Sequence, residues 1–234
     1  MANGIAVSFL IFVDYDPSVA GQAIAVARRG DEWIMARHNF IGFQMVRILV
    51  TGGASYVGSH ACKALAAADF EPVVFDNLCA GHDWAVKWGP FEKGDLLDRD
   101  RIDEVVQKYQ PAGVIHFASF AYVGKSVTDP AEYWRSNLVG AINLCDALAA
   151  ADGSAMVFSS SCTVYGLTTA EFISETEPVP AIDDARRAGD PARLVADIPH
   201  ARKNLAWQPV HSSLDNIVST AWNWHRSSVS ADRA

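Results

Sequence analysis

The stretch "ILVTGGASYVGSH" (residues 48–60) constrains the fold more than any other part of the chain. An apolar, β-branched run stops at two glycines and resumes with helical spacing, which is the pattern of a strand, a tight turn and a helix. A strand ending at Thr51, a turn at Gly52 and Gly53 and a helix opening near Val57 leave backbone N–H groups unpaired where a phosphate can sit. Gly58 lets that helix pack closely on the sheet.

The same rhythm continues downstream. Strands are predicted at 47–51, 72–76, 91–95, 113–119 and 155–160, and helices at 57–68, 99–109 and 131–151. The third helix carries the most signals. Asp129 stands at its N-cap, Pro130 in its first turn and Glu132 where a capping box is completed. Trp134, Leu138, Ala141, Ile142, Cys145 and Leu148 share one face and are the expected buried stripe. Strand–helix–strand repetition means crossover units and an α/β fold built on a doubly wound parallel sheet. Residues 1–44 stand outside this rhythm and read as an extension without function, with Met45 a natural start for the fold. After Tyr165 the alternation gives way to acids and prolines, and a last amphipathic helix places Leu214, Ile217, Val218, Ala221, Trp222 and His225 on one face.

Composition narrows the function classes. Among 234 residues, 27 acidic side chains outnumber 19 basic ones for a net charge of −8, and no basic cluster forms, so nucleic acid is not an expected partner. The four cysteines (Cys62, Cys79, Cys145 and Cys162) make no C-x-x-C pair, and the histidines show no ligand spacing. A reducing, cytoplasmic setting with buried thiols suits them, and no metal is expected. "GIAVSFLIFV" near the start is too short to span a bilayer and lacks a signal-peptide pattern, so no membrane partner is expected.

A second chemical signal follows the glycine turn. Asp76 closes the next strand, about 20 residues beyond Gly58, where an acid accepts the hydroxyls of an adenine ribose and repels a 2′-phosphate. That selects NAD over NADP, with Asn77 beside it as a further polar contact. "KGDLL" sets Asp95 and Leu96 at the end of the third strand, where an adenine ring would lie. "IHFAS" sets Phe117, Ala118 and Ser119 at the end of the fourth. Ligands of open parallel sheets bind beyond such strand ends.

These segments, with "VVFDNL", "VGKSVTDPAEYWRSNLVGAINLCDAL", "VFSSSCTVYG", "RRAGDPARLVAD" and "ARKNLAWQP", resemble the extended short-chain dehydrogenase/reductase superfamily and, within it, the UDP-glucose 4-epimerases. The resemblance runs from Met45 to about Ile182 and resumes from about Arg186 to His225. It implies a Rossmann-like NAD-binding domain over 45–182 and a remnant of a sugar-nucleotide lobe over 183–234. It implies cofactor contacts at Gly52, Ser55, Tyr56, Val57, Gly58, Asn137 and Ser159, besides the acids and strand-end residues above. By the same resemblance Ser161 is the catalytic serine, Arg187 and Asp190 face a UDP-sugar, and helices such as 131–151 would pair in a homodimer. The family glycine pattern is T-G-x-x-G-x-x-G. Thr51, Gly52 and Gly58 match it, but Ser55 replaces the middle glycine. If that position needs a left-handed backbone, the side chain costs about 1–2 kcal/mol, or roughly tenfold in cofactor affinity.

One element of the family pattern is missing. The resemblance implies a base formed by Tyr-x-x-x-Lys, in which an ammonium one helical turn away lowers the phenol pKa. The residues four places after Tyr15, Tyr56, Tyr109, Tyr122, Tyr133 and Tyr165 are Val19, His60, Gly113, Ser126, Asn137 and Thr169. None is lysine, and beyond Tyr165 the only lysine is Lys203. "SETEPVP" passes through "AIDDA" to "RRAGDP", a segment that resembles the family's C-terminal part, so an internal deletion of the catalytic helix, the sixth strand and most of the sugar-nucleotide lobe is expected. The expected activity is a weak or absent UDP-glucose 4-epimerase. The alternatives are a non-catalytic NAD-binding remnant or another extended short-chain dehydrogenase or dehydratase.

Overall fold

The computed structural model describes residues 8–9, 25–29, 32–36, 45–151, 154–161, 173–174, 196–197, 199, 202–203 and 208–231. The strands in chain order are β1 (Ser8–Phe9), β2 (Ala25–Arg29), β3 (Glu32–Ala36), β4 (Val46–Thr51), β5 (Phe70–Asp76), β6 (Phe91–Lys93), β7 (Gly113–His116), β8 (Ala155–Phe158), β9 (Ile173–Ser174) and β10 (Ala196–Asp197). The helices are α1 (Tyr56–Ala67), α2 (Arg99–Tyr109), α3 (Val123–Thr128), α4 (Pro130–Tyr133), α5 (Gly140–Ala150) and α6 (Leu214–Ala231). A 3₁₀ turn at Asp83–Ala85 follows β5, and a π-helical segment, Trp134–Val139, joins α4 to α5.

Six strands form the main sheet in the order β1-β8-β7-β4-β5-β6, every pair parallel. Alternate residues of a strand face opposite sides, and in β4 both sides are apolar. Leu49 points with Val73, Phe75, Val114 and Met156 into a core shared with α2 and α5. Ile48 and Val50 point with Val74 the other way, onto Cys62 and Leu65 of α1. A sheet buried on both faces needs helices on both, which fixes the doubly wound layering. Burial drives the Cys62 thiol up to about 12, so it is an inert core group, as expected.

Beneath β6, Glu92 ties the sheet to α2. Its buried carboxylate accepts hydrogen bonds from Lys108 Nζ at 2.7 Å, from Tyr109 Oη at 2.6 Å and from Arg101. Burial alone would raise the Glu92 pKa, but the three donors outweigh it and hold the group at about 2.

Three expectations change. The stripe Trp134, Leu138 and Ile142 faces solvent, with Trp134 65 % exposed, and the buried side of α5 is Gly140, Leu144, Ala147 and Leu148. The helix is apolar on both sides and the π turn shifts its phase, so spacing placed Leu148 and Cys145 correctly against the core but put Trp134, Leu138 and Ile142 on the wrong side. The capping box is half formed: Asp129 accepts from the Glu132 N–H at 3.3 Å, while the Glu132 carboxylate pairs with Lys125 at 2.7 Å. Residues 1–44 are not wholly apart from the sheet, because Ser8 and Phe9 lie parallel to Val157 and Phe158 at the outer edge of β8. Further along the same extension, β2 and β3 form an antiparallel pair.

Candidate functional site

The connection leaving β4 runs to β5 on one side, and β7 takes up the other side. Between these departures a cleft opens at the carboxyl ends of the strands. At its floor, Gly52 has φ +73°, a conformation that L side chains rarely adopt, and its N–H donates to the Phe75 carbonyl at 2.8 Å. A β-carbon there would stand 2.7 Å from the Ala118 nitrogen. Gly58 is equally constrained, since a β-carbon would come within 2.1 Å of the Gly52 carbonyl oxygen.

Ser55 does not carry the expected strain. Its φ of −79° and ψ of 172° are ordinary extended backbone, and it serves as the N-cap of α1. Its Oγ donates to the Gly52 carbonyl at 2.6 Å and accepts from the Gly58 N–H at 3.2 Å. The N–H groups of Tyr56 and Val57, in the first turn, have no intrahelical partner and remain for an anion. Because a glycine N-cap costs only a few tenths of a kcal/mol, Ser55→Gly is expected to change NAD affinity by less than about threefold. Titration of both proteins checks this, and a gain of tenfold or more would contradict it.

The acid stands where the sequence put it. Asp76 is 8 % exposed, lines the cleft and accepts from the Ala54 N–H at 3.0 Å and the Leu78 N–H at 2.8 Å. Burial raises its pKa, and those two backbone donors partly oppose the rise. Each carboxylate oxygen keeps acceptor capacity beyond its one backbone bond. Asn77 donates through Nδ2 to Asp95 Oδ2 at 2.8 Å, joining the ends of β5 and β6. Asp95 does not cap α2; Asp98 does, accepting from the Arg101 N–H.

Gly52, Ser55, Asp76, Asn77, Asp95, Leu96, Phe117 and Ala118 thus line one cleft. Tyr56, Val57, Gly58, Asn137 and Ser159 adjoin it without lining it. Asn137, on the π segment, spends its amide on Phe120, accepting from its N–H at 2.8 Å and donating to its carbonyl at 2.9 Å. It acts on the cleft by fixing the Phe117–Phe120 segment. Ser159 donates its N–H to the His116 carbonyl at 3.0 Å. Ser161 is exposed just beyond β8. Arg187, Asp190 and Tyr165 lie outside the described residues.

Sequence reading missed Cys79, Ala80 and Gly81, which form the wall after β5, and Phe120 and Ser136 opposite. The "CAG" run after "DNL" is the signal that could have found the first group, because a chain leaving a strand end must turn over the cleft. Behind the site His116 is 2 % exposed, with Nδ1 2.6 Å from Thr51 Oγ1 and its ring against Phe158. Burial pushes its pKa down to about 4. Among the described residues no cluster of three or more potential ligands could hold a metal ion, and no helix is long and apolar enough to cross a membrane.

A strand–glycine turn–helix unit at the switch point, with a carboxylate on the neighbouring strand end, defines a dinucleotide-binding α/β protein. The chain belongs to the NAD dependent epimerase/dehydratase family, whose profile matches residues 48–185. It is 52 % identical over 120 residues to the UDP-glucose 4-epimerase of Rhizobium meliloti (strain 1021), covering 51 % of this chain and 37 % of that protein. It is 48 % identical over 129 residues to the UDP-glucose 4-epimerase of Rhizobium leguminosarum bv. trifolii, covering 55 % of this chain and 39 % of the relative. Its fold matches the UDP-glucose 4-epimerase of Brucella ovis in complex with NAD, with a TM-score of 0.57, 47 % identity and coverage of 58 % of this chain and 42 % of that one. The chain therefore spans about two fifths of the length of these two curated relatives.

Proposed function

We propose that this chain holds NAD in the manner of a UDP-glucose 4-epimerase but epimerises UDP-sugars weakly or not at all. The observation that carries the first half is Asp76, a carboxylate at a strand end in the same cleft as the Gly52 turn. Its free lone pairs suit the two hydroxyls of an adenine ribose, and its charge disfavours a 2′-phosphate. The N–H groups of Tyr56 and Val57, with the positive end of α1, suit a pyrophosphate. Asp95 and Leu96 suit the adenine edge and face. Bound NAD would supply a hydride acceptor for a sugar carbinol.

The second half rests on the missing base. A sugar hydroxyl must lose its proton as hydride leaves carbon. The chain contains no Tyr-x-x-x-Lys pair, and a serine hydroxyl such as Ser161 offers is hardly ionised at neutral pH. Binding and turnover therefore separate in this chain, with the UDP-sugar relatives providing its ancestry and the cleft its remaining chemistry.

Titration with NAD tests the reading. The unchanged chain should bind NAD and prefer it to NADP. Asp76→Asn removes a charged acceptor whose hydrogen bonds contribute about 1.5–3 kcal/mol, so NAD should bind roughly 10- to 100-fold more weakly and the preference over NADP should narrow. A chain that binds neither dinucleotide sinks the proposal.

A further inference from the structure

We infer that the C-terminal helix α6 clamps the dinucleotide cleft, so that its docking and NAD binding strengthen each other; this rests on the NAD-binding reading above. Two walls of the cleft meet at α6. One is the N-terminus of α1, where Tyr56 follows the capping Ser55. The other is the segment after β5, in which Cys79, Ala80 and Gly81 line the cleft and lead into His82 and Trp84.

Trp224 packs on both walls. Its ring lies 5.6 Å from that of Tyr56 in an edge-on arrangement, 5.8 Å from His82 and 4.7 Å from Trp84. His82 also stacks on Trp84 at 5.2 Å, and its N–H donates to the Ala54 carbonyl at 3.0 Å, tying this wall to the glycine turn. One helical turn earlier on α6, Thr220 Oγ1 lies 2.8 Å from Tyr56 Oη. Thr220 also donates its own proton to the Asn216 carbonyl at 2.8 Å, so Tyr56 is the donor to Thr220. The Trp84 Nε1 is buried with no hydrogen-bond partner among the described residues.

Much of the apolar side of α6 lies in solvent. Leu214 is 74 % exposed and Trp222 62 %, so the apolar face expected from spacing points largely to solvent. Helices in proteins draw most of their stability from tertiary packing, and the Trp224 and Thr220 contacts supply such packing for α6 against the cleft walls. A soft docking equilibrium built on the same residues that shape the cleft must respond to anything that fixes those residues. Linkage then makes the effect mutual: whatever factor α6 adds to NAD affinity, NAD adds to α6 docking.

The test uses the full chain and two readouts, NAD affinity by titration and amide exchange in α6 with and without saturating NAD. NAD should slow exchange in α6 about tenfold, within the range usual for coupled sites. Trp224→Ala should weaken NAD binding by a similar factor, Trp224→Phe should restore most of it, and Thr220→Val, which removes only the hydroxyl contact, should weaken it a few-fold. A helix that merely stabilised the fold would slow with NAD only in step with the core strands, through global unfolding, whereas a clamp slows the local opening of α6 itself. If the unchanged chain binds NAD while α6 exchange is indifferent to it, the clamp is overturned and the binding reading stands. If the unchanged chain binds no NAD, both fall. Should Trp224→Ala not fold, Thr220→Val and the exchange of the unchanged chain decide the matter.

Discussion

Incubated with UDP-galactose and saturating NAD, the purified chain is expected to form UDP-glucose at least about 10²- to 10⁴-fold more slowly than an intact UDP-glucose 4-epimerase, the usual contribution of a positioned acid or base. The estimate counts only the absent Tyr-x-x-x-Lys pair. Loss of binding energy from an incomplete sugar-nucleotide lobe would lower the rate further, because contacts remote from the reacting carbon normally help to align it. Ser161→Ala should leave any residual rate unchanged, since a serine hydroxyl is a poor base at neutral pH. Turnover within tenfold of an intact relative, at matched NAD occupancy, would show that another group takes the proton.

The second large effect concerns stability. His116 is pushed down to about 4 in the fold, against an ordinary 6.5. Between those values the unfolded chain binds the proton and the folded chain does not, so stability is full above about pH 6.5 and falls as the pH drops toward 4. At about 1.4 kcal/mol per unit, the loss reaches roughly 2 kcal/mol by pH 5 and about 3 kcal/mol by pH 4. Protonation would also disturb the pairing with Thr51 beside the glycine turn. Glu92 adds a loss of its own only below about 4.5, as the pH approaches its folded value near 2. Asp76 runs the other way, since its raised pKa returns stability on acidification. Urea unfolding at pH 7, 6 and 5 checks the sum. His116→Gln should be less stable at pH 7 but nearly flat across this window, and a wild-type curve equally flat would contradict the assignment.

The strand-end lining of the cleft was legible because it is local. Gly52, Asp76, Asp95 and Ala118 sit at strand ends whose positions follow from β-branched runs and breakers, and a parallel sheet carries all its strand ends to one edge. Ser55 was misjudged for want of a backbone angle, because a serine is costly in a left-handed turn and useful as an N-cap. The buried face of α5 was misread because its sequence is apolar on two sides, and the π turn before it sets which side meets Leu96 and the sheet. Trp224 was legible only as one aromatic residue of a helix apolar enough to dock.

By itself the sequence determined the strand–turn–helix unit, the doubly wound sheet, the acid at the end of β5 and the absence of a Tyr-x-x-x-Lys motif. Each depends on residue identity and near-neighbour spacing. Tertiary structure alone decided that Ser8 and Phe9 cover the edge of β8, that Asn137 is occupied with Phe120 and that Trp224 of α6 bridges Tyr56 and Trp84. Those choices join residues far apart in the chain, and they are settled by which surfaces remain uncovered once the sheet and its helices have packed.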